Sequence, residues 1–214
     1  MASAVIAGCR TSAYGDPGRW SKVEQEVVVR KIVAGTFLSL DGVMESPDKW
    51  HFPYFDDKMG EAVGSQMAEA DAMLLGRVTY EEFASYWPQQ TADTPGAEFM
   101  NGLQKYVVSS TLPNVNAWQN STLIDGTNFV EEIQRLKNSP GKQINVTGSA
   151  KLVQSLLREN LLDELRLLLH PIVVGGGKRL LEGDTGQVPL KLVDSQIFDT
   201  GVLYLTYQPA DRSR

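Results

Sequence analysis

The first residues with chemical potential are Gly76, Arg77 and Thr79, which lie where an apolar run gives way to a helical pattern. Residues 71–75 are typical of a strand buried on both faces, and from Val78 onward apolar side chains recur on one side of a helix. The first turn of a helix offers free N–H groups and a partial positive charge, which together bind phosphate. Gly76 allows close approach to the backbone, Arg77 adds a planar set of donors, and Thr79 adds a hydroxyl. The junction predicts a phosphate site or, alternatively, an ordinary turn in which Arg77 is solvated.

Two more predicted strands end in small polar residues. Ser109 and Ser110 close one strand, and the run Gly148-Ser149-Ala150 separates another strand from a helix. The carboxyl ends of parallel strands meet at one edge of a sheet, where ligands bind. The GxGxxG fingerprint, the P-loop and the GxSxG motif are all absent from the sequence. Three such junctions, in a chain without a nucleophile–base pair, indicate a dinucleotide.

Composition excludes several classes of protein. The chain has 214 residues, 42% of them hydrophobic, and a formal net charge of −6 without a basic stripe, which argues against a nucleic-acid partner. No apolar run is long enough to span a membrane. The single cysteine, Cys9, rules out an internal disulfide and fits a reducing compartment, so we expect a cytoplasmic protein. One cysteine and two widely separated histidines cannot make an ordinary zinc site, so no metal is expected.

The periodicity predicts one α/β domain. Residues 1–29 show no sustained period and are expected to be an unstructured extension, whereas residues 30–210 form the domain. Alternating strands and helices imply a three-layer sandwich, with a mostly parallel central sheet, helices on both faces and an antiparallel C-terminal hairpin. Strands are predicted over residues 30–40, 71–75, 105–109, 121–124, 143–147, 163–169, 190–198 and 202–207, and helices over 56–70, 78–87, 98–103, 128–137 and 151–159.

The loop after the first strand combines acids with aromatic residues. Asp41 opens it in an Asp-Gly turn signal, and Trp50, His51 and Phe52 follow. Such a loop suits a cover over an active site, although a satellite hydrophobic cluster under a long loop is an equal alternative. His51 is expected at the surface.

Residues 75–81, with the sequence LGRVTYE, resemble the GR-x-T-[WY]-E motif of the dihydrofolate reductase superfamily. The similarity is closer to the reductase domain of the bifunctional riboflavin-biosynthesis deaminase–reductase and its stand-alone relatives. It extends over roughly residues 31–208 and rests on further segments at 39–42, 146–150, 163–165 and 170–178.

The resemblance implies NADPH as the cofactor and assigns residues to it. Arg77 and Thr79 match positions that hold the adenosine phosphates, and Ser109 and Ser110 match the segment around the 2′-phosphate and ribose. The pyrophosphate turn corresponds to residues 148–151, where this chain has a serine and an alanine in place of glycines. The implied cofactor residues are Ala34, Gly76, Arg77, Thr79, Ser109, Ser110, Thr147, Gly148, Ser149, Ala150 and Lys151.

The resemblance also implies a substrate pocket. Asp56 follows Trp50 much as the substrate-binding carboxylate follows a Trp-x-x-Pro sequence in dihydrofolate reductases, and Asp57 is an equal candidate. Asp41 is expected nearest the nicotinamide. Asp41 and Asp56 are therefore the candidate catalytic residues, and Trp50, Phe52 and Asp57 the candidate substrate-binding residues. A carboxylate in an apolar, aromatic-lined pocket would have a raised pKa and could hold a protonated heterocycle.

The preferred hypothesis is an NADPH-dependent reductase of a pterin-like or pyrimidinone-like heterocycle, resembling 5-amino-6-(5-phosphoribosylamino)uracil reductase or dihydrofolate reductase. The alternatives are a non-catalytic nucleotide-binding or scaffold protein that kept the fold, and a dihydrofolate reductase proper. A homodimer is expected because residues 190–207 would otherwise leave an apolar sheet edge open, and because the relatives it resembles are commonly dimeric.

Overall fold

The structure is a computed structural model that describes residues 29–183 and 186–210. The extension predicted for residues 1–29 lies outside these ranges except for its last residue, so it stays a prediction. Within the described ranges, no helix combines the length and the apolar character that crossing a bilayer would require.

The predicted elements are present, with ends that shift by a few residues. Helix α1 begins at Asp57 because Asp56 is its N-cap and accepts a hydrogen bond from the Met59 N–H at 2.8 Å. The strands are β1 Ile32–Ser39, β2 Ala70–Gly76, β3 Gln104–Ser109, β4 Ser121–Asp125, β5 Gln143–Thr147, β6 Glu164–His170, β7 Leu190–Ile197 and β8 Leu203–Pro209. The helices are α1 Asp57–Ala68, α2 Arg77–Tyr86, α3 Ala97–Gly102, α4 Phe129–Lys137 and α5 Ala150–Arg158.

The strands form one sheet in the order β4-β3-β2-β5-β1-β6-β8-β7. Strands β1 to β6 pair in parallel, whereas β8 runs antiparallel to both β6 and β7. Most strands of the parallel part are separated by helices, the exception being β3 and β4, whose connection over residues 110–120 contains no helix. The two consecutive strands at the end of the described chain add the antiparallel hairpin. The predicted fold class is confirmed.

Alternate residues of the central strands supply two separate cores, as a pleated sheet requires. Leu74 on β2 and Val146 on β5 belong to the core that packs under α4 and α5. Met73 and Leu75 face the opposite side, where α2 and α3 pack. On that same side, α1 covers the end of the sheet nearest the hairpin. The result is the predicted three-layer arrangement, which leaves the carboxyl edge of the sheet open between the helix layers.

Candidate cofactor and substrate cleft

A cleft of about 1450 Å³ runs along the carboxyl edge of the sheet. Its wall includes Gly76 and Thr147, the last residues of β2 and β5, and also Gly35 and Thr36 of β1, where Gly35 pairs with Thr147. The first turns of α2 and α5 also face it. This is the edge at which the sequence predicted a ligand, and the volume exceeds the 300–1,000 Å³ range of drug-sized pockets.

The turns after β2 and β5 are joined through one serine. Ser149 Oγ accepts a hydrogen bond from the Gly76 N–H at 2.9 Å and lies 2.6 Å from Thr79 Oγ1. A Cβ on Gly76 would lie only 2.8 Å from Ser149 Oγ. Gly76 is thus required here for the approach of Ser149, and its N–H is already used within the protein.

The turn before α5 has an unusual backbone. Gly148 and Ser149 both have positive φ, at 70° and 60°, and Ser149 is the N-cap of α5 in a left-handed conformation. A Cβ on Gly148 would lie 3.1 Å from Thr79 Cγ2, so this turn packs directly on Thr79. A left-handed conformation costs an ordinary L-residue about 1–2 kcal/mol, and such strain accumulates at functional sites.

Several charged and hydroxyl groups surround these turns. Arg77 is exposed, and its Nη1 is 2.8 Å from Glu81 Oε2, one helical turn further along α2. Lys151 and Thr147 are exposed in the same wall of the cleft. An anionic nucleotide would meet hydroxyls, two cations and the N-termini of α2 and α5, so these residues fit the phosphates of NADPH.

Three of the predicted cofactor residues lie outside the cleft wall. Ala34 is buried in β1 between β5 and β6. Ser109 is buried, and its Oγ accepts hydrogen bonds from the Thr111 and Leu112 N–H groups, which closes the turn after β3. Ser110 is exposed beside Gly126, which does line the cleft.

The Asp41 carboxylate accepts hydrogen bonds from the surrounding loops. Its carboxylate accepts hydrogen bonds from Ser39 Oγ at 2.7 Å, the Val174 N–H at 3.0 Å and the Gly175 N–H at 2.9 Å. These bonds lower the pKa of Asp41 to about 2, the hydrogen bond from Ser39 contributing most. The direction is opposite to the raised pKa expected of a carboxylate in an apolar pocket. Asp41 does not line the cleft, and its role in catalysis stays a prediction.

The other predicted substrate residues gather beside the cleft rather than in its wall. One Asp56 oxygen caps α1, while its Oδ2 is buried and has no partner among the described residues. Asp57 and Phe52 are exposed. Trp50 is buried, and its Nε1 donates to the Glu45 carbonyl oxygen at 3.1 Å.

His51 is buried, so the expectation that it lies at the surface is wrong. Its ring stacks on Phe37 with 4.6 Å between centroids and lies 6.1 Å from the ring of His170, which is fully buried. Burial lowers the pKa of both histidines, and the charge of His170 lowers that of His51 further. Trp50 also packs on His170. This part of the loop is therefore a buried aromatic cluster.

Sequence reasoning missed polar groups in the cleft wall. Gln66 on α1 lies over Gly35, where a Cβ would meet Gln66 Nε2 at 2.1 Å. Asn145 Nδ2 on β5 donates to the backbone carbonyl oxygen of Gln66 at 3.0 Å. The Gln66 side-chain amide itself forms no hydrogen bond within the described ranges. The carboxylates of Glu45 and Asp48 line the same cleft. Nothing in the sequence of α1 marks Gln66 as a cleft residue, because its contact with Gly35 arises only when α1 packs on β1.

Residues 30–204 match the family model described as the RibD C-terminal domain. The chain belongs to this family. It is 29% identical to YyaP of Bacillus subtilis (strain 168), a protein named as uncharacterized, over 83% of this chain and 94% of that one.

Solved structures share the fold at low identity. A putative riboflavin biosynthesis protein from Shewanella sp. PV-4 superposes with a TM-score of 0.64 at 17% identity, covering 84% of this chain and 99% of that chain. Dihydrofolate reductase from Enterococcus faecalis, complexed with NADP(H) and RAB-propyl, gives a TM-score of 0.59 at 16% identity, covering 85% and 97%. The resemblance to these families is confirmed, and a reductase-like function is the coarse assignment that follows from the family.

Proposed function

We propose that this protein is an NADPH-dependent reductase that transfers a hydride to a pterin-like or pyrimidinone-like heterocycle. The observation that carries the proposal is the cleft, which combines a polar wall around residues 76–79 and 147–151 with an apolar wall on the side of α1. A dinucleotide with an anionic end and an apolar end needs a polar wall for the first and an apolar wall for the second. When bound, NADPH supplies the hydride, and the chain must orient it and exclude water.

The apolar wall supports a flat heterocycle as the substrate. Phe37, Val63, Met67 and Leu168 line it, and the Gln66 amide lies among them. An amide that has both a donor and an acceptor free can form two hydrogen bonds to the lactam edge of a pterin or pyrimidinone. Gln66 would then orient the ring, while apolar contacts would supply most of the affinity.

A second candidate function is nucleotide binding without reduction. The observation that favours it is that Asp41 and Asp56, the acids expected to act on the substrate, lie outside the cleft wall and accept hydrogen bonds from backbone N–H groups of the protein. A protein of this kind would bind NADPH but reduce no heterocycle.

We further propose a homodimer formed through β7. This strand ends the sheet and pairs only with β8 among the described strands, and its side chains Leu192, Val193 and Ile197 are exposed. Unpaired apolar edges are normally covered. Light scattering at tens of micromolar should give the dimer mass, and Ile197→Lys should shift the mass toward the monomer.

The function is tested by titrating the purified protein with NADPH and NADH, followed by a panel of pterins and pyrimidinones in which cofactor oxidation is followed by absorbance. We expect binding of NADPH and turnover of at least one substrate class. Binding without turnover across the panel would favour the second candidate, and no binding at millimolar concentration would contradict both.

A further inference from the structure

Charged residues are distributed unevenly along the cleft wall. At the start of α2 and on the side of α4 and α5, three exposed cations line the cleft, namely Arg77, Lys151 and Arg158. Two exposed acids, Glu131 and Glu159, accompany them. Cations outnumber acids here, so this is the part of the cleft that suits the anionic end of a dinucleotide.

Acids dominate the rest of the wall. Lys178 is the one cation among the remaining lining residues of the described ranges, and its Nζ pairs with Glu45 Oε1 at 3.3 Å. Asp48, in the loop after β1, and Glu82, on α2, line the cleft as exposed carboxylates without an ion pair in the part of the chain that the structure describes. With three acids and one paired cation, this part of the wall offers no free positive charge to an anion.

The wall on the side of α1, α2 and α3 is otherwise mostly apolar. Met67 of α1, Phe83 and Trp87 of α2 and Phe99 of α3 line the cleft there, and each is only half-buried. The rings of Phe83 and Trp87 meet edge to face, with 6.5 Å between centroids, and both pack against the core that contains Met73 of β2. A ligand group placed here is removed from water, which favours an apolar group and disfavours a charged one that has no counter-charge.

We propose that the substrate carries no phosphate or carboxylate, and that an apolar substituent of its ring occupies the space between α1, α2 and α3. Asp48 and Glu82 are then specificity-determining residues, because their charges repel an anion that the apolar side chains cannot compensate. The inference rests on the proposed function, since it takes the heterocycle to bind beside this space. A pyrimidinone that bears a phosphoribosyl group is accordingly a poor substrate.

The test compares three ligands that share one ring. They are 6-aminouracil, which has no substituent, 6-benzylaminouracil, whose substituent is apolar, and the para-phosphonate of 6-benzylaminouracil, which adds an anion to the same group. Dissociation constants are measured by isothermal titration calorimetry with and without saturating NADPH. We expect the benzyl group to tighten binding about tenfold, and the phosphonate to reverse that gain by about tenfold or more. Added salt should narrow the second difference.

Charge reversal identifies the residues responsible. Glu82→Lys should tighten the phosphonate by about tenfold relative to the benzyl compound, because it turns repulsion into attraction, and Asp48→Asn should give a smaller gain in the same direction. Glu98→Lys is the matched control, since Glu98 is an exposed acid on the neighbouring α3 that does not line the cleft, and its replacement changes the net charge equally. Met67→Gln should narrow the difference between the benzyl compound and 6-aminouracil.

Several outcomes would overturn the proposal. The parent protein could bind the phosphonate as tightly as the benzyl compound, Glu98→Lys could match the gain of Glu82→Lys, or none of the three ligands could bind at millimolar concentration. The inference and the proposed function fail separately. The expected order of dissociation constants without oxidation of NADPH would support the exclusion of anions while contradicting the reductase, whereas efficient turnover of the phosphonate would support the reductase and contradict the exclusion of anions.

Discussion

The two edges of the central sheet use polar residues in opposite ways. At the amino edge, Glu164 accepts from Lys31 at 2.9 Å and from Arg166 at 2.8 Å, and Arg166 also reaches Glu69 at 2.8 Å. Asp163 accepts from Lys137 and from the Ile32 N–H, both at 2.7 Å. These charges are paired within the protein, and they hold the starts of β1 and β6 together.

The carboxyl edge leaves polar groups available. The Gln66 amide and one hydroxyl hydrogen of the Thr79–Ser149 pair have no partner within the described ranges, and the exposed Arg77 has only its helix neighbour Glu81. Two residues in a row there have positive φ. We therefore expect the amino edge to contribute stability and the carboxyl edge to contribute ligand binding, so substitutions at the two edges should have separable effects.

The largest expected effect is at the amino edge. Glu164→Gln removes the charge that faces both Lys31 and Arg166, and Arg166 is mostly buried. Breaking a buried ion pair on one side typically costs about 3 kcal/mol, so the free energy of unfolding should fall by about that amount in urea melts, while NADPH affinity stays unchanged. Asp199→Asn is the control because its ion pair with Lys58 is exposed, and it should cost well under about 1 kcal/mol. An unchanged free energy of unfolding for Glu164→Gln would contradict the expected difference between the two edges.

The second prediction concerns Arg77 at the carboxyl edge. Arg77→Ala should weaken NADPH by about ten- to a hundredfold while changing NADH little, because a guanidinium can hold the extra phosphate through two charge-assisted hydrogen bonds. Added salt should reduce the preference of the parent for NADPH. Arg135→Ala is the matched control, since Arg135 also pairs with a glutamate of its own helix but does not line the cleft. Equal losses for both cofactors would place Arg77 on the pyrophosphate instead.

The two edges also differ in how far the sequence could predict them. The fold could be predicted from hydrophobic periodicity, because apolar runs such as residues 71–75 and the apolar faces of amphipathic helices reflect which side chains are buried. The small residues at strand ends predicted a ligand site at the carboxyl edge, and this stays a prediction. The Ser149–Thr79 contact could not be predicted, since the two residues are 70 positions apart and only tertiary packing joins them. Likewise, Asp41 has the residue type of a catalyst, but its bonds to Val174 and Gly175 depend on a loop far along the chain.

The third prediction addresses the acids beside the cleft. We expect Asp41→Asn or Asp56→Asn to lower turnover of the identified substrate by about tenfold or more, because removing a required charge has at least that effect. Melting temperatures distinguish a chemical role of the acid from a loss of stability. Lower turnover with unchanged melting indicates a chemical role, whereas a lower melting temperature for Asp41→Asn indicates that the loop through Val174 has loosened. If both variants turn over as fast as the parent, neither acid acts in the reaction.

The smallest expected effect concerns Lys105, an exception to the carboxylate pairing at the amino edge. Lys105 is fully buried near the start of β3, and its Nζ donates to the Asn101 and Gln119 carbonyl oxygens and lies 4.3 Å from the centre of the Trp118 ring. Burial lowers the pKa of Lys105 from 10.5 to about 8. Two backbone carbonyl oxygens and an aromatic ring surround the amine, and no carboxylate is among these contacts.

The sign of the pH dependence follows from proton binding. Between pH 8 and 10.5 the unfolded chain holds a proton on Lys105 that the folded chain has largely released, so stability rises with pH in this window. The gain between pH 8 and 9 should be about 1 kcal/mol. Other groups titrate there as well, so the measurement is the difference in unfolding free energy between the parent and Lys105→Met at each pH. Lys31→Met is the control, because Lys31 is exposed and paired. A parent-minus-variant difference that stays constant across the window would show that Lys105 titrates normally, and that the amino edge tolerates a buried cation through carbonyl and ring contacts alone.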